Sequence, residues 1–143
     1  MFGNTDVITM TTIKSYTTIE QSRKLAEILP LESADMWWNY YSVTTDFGTP
    51  QIIHLNTPWV GSFNWYNEPD NIPCWSLAAL ISILPRFIEF KGDKYYLRFM
   101  KEYVEYANDE VSITSRCLHT TGNDNLVDAC YEMIIRLNEL KML

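Results

Sequence analysis

Two stretches decide the fold: Ile72-Pro-Cys-Trp-Ser-Leu-Ala-Ala-Leu-Ile-Ser-Ile-Leu-Pro85 and Asp124-Asn-Leu-Val-Asp-Ala-Cys-Tyr-Glu-Met-Ile-Ile-Arg-Leu-Asn-Glu-Leu140. Each opens on helix-start residues and carries apolar side chains at helical spacing. The first predicts a helix over residues 73–84. Proline in a first turn costs no hydrogen bond, and Pro85 stops the run. Its apolar residues lie nearly all round, so the helix is expected to be central. The second predicts a helix from Leu126 with Asn125 as cap and Asp128 in the first turn. Its core stripe is Ala129, Cys130, Met133, Ile134, Leu137 and Leu140.

Working towards the N-terminus, residues 19–29 predict a first helix. Thr17 or Thr18 can cap it, with Glu20 or Gln21 in capping-box register. Pro30 ends it. Residues 36–43 (Met-Trp-Trp-Asn-Tyr-Tyr-Ser-Val) suit a strand with both faces partly covered. Asp46-Phe-Gly-Thr-Pro50 reads as a turn and residues 51–55 as a short strand. Residues 56–71 read as one long aromatic loop holding Trp59, Phe63, Trp65 and Tyr66. Beyond the central helix, residues 87–90, a Lys91-Gly-Asp-Lys94 turn and Tyr95 onward predict a hairpin. Helical spacing also fits 96–107; the aromatic content and the turn favour strand. Residues 111–118 alternate and predict a further strand.

The expectation is therefore one α+β domain over 18–143, behind a loose leader over 1–17. An antiparallel sheet of about five strands packs on three helices in the order αββαβββα, with Trp75, Leu80, Ile81, Cys130, Met133, Ile134 and Leu137 buried. Met10 is a second plausible start. Leu25–Pro30 and Leu80–Pro85 echo each other weakly, which fits an economical helix-to-strand turn, with an ancient duplication as the alternative reading.

The chain has 143 residues, 47% of them hydrophobic, enough for a core of its own. Its net charge of −7 disfavours nucleic acid and anionic membranes and suits a basic protein partner. The N-terminus lacks a basic, apolar signal, no apolar run approaches a membrane span, and the cysteines number three, so a reduced cytoplasmic setting with free thiols is expected.

Three strings look like one family: Thr18-Ile-Glu-Gln-Ser-Arg-Lys-Leu-Ala-Glu-Ile-Leu-Pro-Leu-Glu-Ser-Ala-Asp-Met36, Ile72-Pro-Cys-Trp-Ser-Leu-Ala-Ala-Leu80 and Val127-Asp-Ala-Cys-Tyr-Glu-Met-Ile-Ile135. In that order they resemble a family of small uncharacterised proteins of gut anaerobic bacteria and their prophages. The resemblance covers most of residues 10–143 and implies a mobile-element context in a host cytoplasm. It carries over no site residue.

Among reactive groups, Cys74 at a helix start would feel a dipole that favours thiolate. With His119 downstream and Asn123 or Asp124 to orient it, it would give a Cys-His-Asn hydrolase. The Gly-Ser that usually shapes such a site is absent, and packing is the ordinary use of such a cysteine. Cys74, Cys117, His119, Cys130 and His54 lack the paired short spacing of a zinc site, so neither metal nor cofactor is expected. The acidic pairs Glu32/Asp35, Glu68/Asp70 and Asp109/Glu110 read as solvated turns and caps.

Trp37, Trp59, Phe63, Trp65 and Tyr66 are the candidate binding residues, since tryptophan and tyrosine concentrate at interface hot spots. Their other use is to roof the sheet. The leading expectation is a small, acidic, non-enzymatic accessory protein of a phage or mobile element that binds another protein. A homo-oligomer built on the aromatic loop is a further possibility, and a hydrolase using Cys74 and His119 is the alternative.

Overall fold

A computed structural model describes residues 14–61, 70–101, 103–108, 117–122 and 125–143. The helices are α1 (Ile19–Ala26), α2 (Leu77–Ile83) and α3 (Leu126–Glu139), with a 3-10 turn at Leu31–Ser33. Before α2 run β1 (Met36–Trp38), β2 (Tyr40–Thr44), β3 (Pro50–His54), β4 (Trp59–Val60) and β5 (Ile72–Cys74). After it come β6 (Phe87–Phe90), β7 (Asp93–Phe99), β8 (Tyr103–Ala107) and β9 (Cys117–Gly122). The α+β class holds, with helices first, central and last. Three small antiparallel sheets replace the single sheet: β9-β8-β7-β6, β4-β1-β5 and β2-β3.

The single strand over 36–43 divides at Asn39. Its side-chain oxygen accepts from Tyr40 N at 2.8 Å, and its carbonyl accepts from Leu55 N at 3.0 Å. An Asn side chain that bonds its own backbone competes with the ladder in this way. β1 therefore joins one sheet and β2 another. Within the expected aromatic loop, Trp59–Val60 pairs with β1 as β4, while residues 62–69, including Phe63, Trp65 and Tyr66, lie outside the described residues. Most of the strand expected over 111–118 lies outside them too.

The helix expected from Pro73 starts later. Ile72, Pro73 and Cys74 are extended and pair with Trp38, Trp37 and Met36. Pro73 is tolerated because β5 is the last strand of its sheet. Ser76 caps α2 by accepting from Ala79 N at 3.1 Å, and Asp35 accepts from both Ser76 N and Ser76 Oγ. In α2 itself only Leu80 is fully buried; Ile81 is half-buried.

The other two helices follow their sequence signals. Thr18 and Gln21 close a capping box on α1. Asn125 Oδ1 accepts from Asp128 N at 2.9 Å to cap α3. Val127, Ala129, Cys130, Met133, Ile134 and Leu137 of α3 are all buried. They meet Trp75, Leu80, Val104 and Tyr106 in the main core. Leu140 does not join the stripe and is 48% exposed. The helix has already ended: Lys141 takes a left-handed φ of 58°, and Met142 N bonds back to Leu137 O at 2.8 Å. That is a helix stop of the Schellman type. The hairpin β6–β7 turns on Lys91 and Gly92, both at positive φ, as a two-residue loop requires.

Asp128 ties the N-terminal segment to α3. It accepts from Lys14 Nζ, Gln21 Nε2 and Asn125 Nδ2. Partial burial alone would raise its pKa, but these hydrogen bonds and the Lys14 charge together hold the carboxyl below its usual range. A lowered folded pKa stabilises the fold at pH values above the unfolded carboxyl pKa, about 4, and that stabilisation is lost as pH falls through the folded value. Asp128→Asn is expected to lower the urea midpoint at pH 7. The gap to the wild type should narrow in melts at pH 3; a gap that widens there contradicts this role.

Candidate functional site

The sheet β4-β1-β5 has two faces, because neighbouring residues of a strand point opposite ways. Trp37 points to the main core and is 3% exposed. Trp38 points the other way, into a second cluster with Ile72 and Cys74, flanked by Tyr16, Ile19 and Met36. Trp37 is thus a roofing residue and not part of the binding surface expected of it. Trp59 stacks edge-on against it, with ring centroids 6.1 Å apart, and stays 49% exposed. Val60 beside it is 79% exposed. Gly61 lets the chain pass over the Trp37 ring: a methyl group there would sit 2.7 Å from Trp37 Cζ3.

The β2–β3 hairpin exposes apolar side chains on both faces of its ladder, none of which is among the candidate binding residues of the sequence. Tyr41 and Ile52 are 47% and 40% exposed, and Phe47 in the turn is 94% exposed. No residue of either strand is fully buried. Residues 55–58 connect this arm to the Trp59–Val60 ledge. The one sequence signal for it was the Asp46-Phe-Gly turn, which puts a large ring where turns usually carry polar residues.

Where the arm leaves the body, a groove of about 600 Å³ opens. Lys14, Tyr16, Thr18, Glu20, Trp38, His54 and Asn56 are among its lining residues. Tyr16 and Trp38 meet edge-on at 5.8 Å, and Tyr40 and His54 at 6.5 Å. His54 Nε2 bonds the Asp70 carbonyl at 3.0 Å. A carbonyl only accepts, so Nε2 carries a proton and donates it.

Cys74 lies in β5 and not at a helix N-terminus, so no dipole acts on it from its own helix. It is fully buried, with Sγ 3.5 Å from both Thr17 Oγ1 and Thr17 O. Burial raises its pKa despite hydrogen bonds from Thr17 and Ser22. The Cys130 thiol, also buried, is pushed up to about 12. Both are protonated at neutral pH, the opposite of an activated nucleophile. Thr17, Ser22 and Cys74 form a buried knot that also receives Trp75 N on Thr17 Oγ1 at 3.2 Å. His119 belongs to β9, at the edge of the four-stranded sheet, whereas Cys74 belongs to another sheet. Asn123 and Asp124 lie outside the described residues. Among the described residues no three His, Cys, Asp or Glu side chains gather to hold a metal, and no helix is long and apolar enough to cross a membrane.

No protein-family model, curated protein or solved structure matches the chain.

Proposed function

We propose that the chain is a small non-enzymatic accessory protein that works by binding another protein, with Trp59, Val60 and the β2–β3 arm as its contact surface. The observation that carries this reading is the arm. A two-stranded hairpin is marginally stable by itself in water, and this one exposes Tyr41, Phe47 and Ile52. Large apolar groups held out on a short hairpin cost solubility and favour aggregation unless a partner covers them. Aromatic rings contribute the most binding energy per residue at protein interfaces. The acidic balance of the chain favours a basic partner. The phage or mobile-element setting is carried by the resemblance of the three sequence strings.

The test is loss of a captured partner when the Phe47 and Trp59 rings are truncated, with the melting curve as control. Phe47 touches too little of the body for its truncation to change the fold.

A further inference from the structure

We propose that the groove between Tyr16, Glu20, Trp38 and His54 receives a basic peptide segment, seating one lysine or arginine side chain against Glu20 and the aromatic walls. This deepens the protein-binding reading and rests on it, since it names the chemistry of the partner.

The charges decide the sign. The groove has one basic side chain, Lys14, and that one is already committed to Asp128 and Gln21. Glu20, in the first turn of α1, has no ion pair or hydrogen bond among the described residues, so the one carboxylate of the lining is unpaired among them. The net charge of −7 adds to that negative charge. A bare carboxylate beside Tyr16 and Trp38 is an arrangement that attracts an ammonium or guanidinium, because the ring faces are themselves electron-rich.

The remaining polar groups argue for a peptide over a simple amine. The Trp38 side chain is 6% exposed, and its Nε1–H has no acceptor among the described residues. A peptide brings backbone carbonyls as well as a cation; a polyamine brings only donors. The volume of about 600 Å³ suits a few residues rather than a single ion.

Titration calorimetry with acetyl-Arg-Arg-Arg-Arg-amide tests this on the full chain, with the tetraglutamate analogue and spermidine as comparison ligands. The tetra-arginine peptide is expected to bind and the tetraglutamate peptide to show no heat. Glu20→Gln should weaken binding about tenfold, while Glu139→Gln, the same charge loss at the far end of α3, should change it less than about twofold. Equal weakening by both substitutions would mean general charge attraction and overturn the site. Absence of tetra-arginine binding, or spermidine binding as tightly as the peptide, overturns it as well. The assay uses no captured partner, so a failure here is separate from a failure of the Phe47 and Trp59 surface.

Discussion

Replacing Trp75 by alanine is expected to lower the unfolding free energy by about 4 kcal/mol, the middle of the range for truncating a buried large aromatic. The side chain is fully buried in the main core, between α3, α2 and the four-stranded sheet. Its indole Nε1–H donates to Ser33 Oγ at 2.9 Å, so the ring also fixes the 3-10 turn after α1. Stability of a domain this size is about 5–15 kcal/mol, so the loss removes a large share of it. The melting midpoint should fall by about 10 °C or more. Trp75→Phe separates the two contributions. It keeps most of the apolar surface and gives up the hydrogen bond, and should cost about 1–2 kcal/mol. Ser33 Oγ still donates to the Pro30 carbonyl in that variant. A Trp75→Ala protein as stable as wild type in urea would mean that this core is wrongly placed.

Gly61→Ala should be the most damaging single methyl addition. The new carbon would meet Trp37 Cζ3 at 2.7 Å and Cη2 at 3.2 Å, inside van der Waals contact. Trp37 is buried and has little room to turn away. The backbone adds to this, with φ at +144°, a conformation that side chains with a Cβ rarely adopt. Overpacking and backbone strain together suggest a cost of about 2–5 kcal/mol. Gly92→Ala is the control. Its φ is +86° but nothing lies within 4 Å of the added methyl, so it should cost about 1 kcal/mol. Displacing Trp37 also disturbs the edge-on contact with Trp59, so Gly61→Ala should change the near-ultraviolet circular dichroism and Gly92→Ala should not. Equal stability losses for the two glycines would contradict the packing of Gly61 on Trp37.

What the sequence made legible was local. The α3 cap, the stripe from Ala129 to Leu137 and the Lys91-Gly92 turn each sit within a few residues of the structure they produce. Ile72-Pro-Cys was misread because its strand state comes from pairing with Met36–Trp38, far away in the chain. Nothing within the tripeptide opposes a helix start. Asn39 divides a continuous β-rich run by a side-chain bond that composition does not announce. Trp37 and Trp59 are the same residue type and sit directly opposite each other across the ladder, yet one is roof and the other surface, because β1 is the central strand of its sheet and β4 an edge strand. The groove was invisible for a related reason. Tyr16, Glu20, Trp38 and His54 come from the N-terminal segment, α1, β1 and β3, and tertiary packing alone brings them together.

The most direct measurement for the binding surface is capture from a cell lysate with three baits in parallel: wild type, Phe47→Ser and Trp59→Ala, each matched by its melting curve. The account predicts a stoichiometric partner on the wild type, at least tenfold less of it on both variants, and melting midpoints for Phe47→Ser within about 1 °C of wild type. A partner retained equally by all three folded baits would contradict the assignment of the arm and the Trp59 ledge as the contact surface.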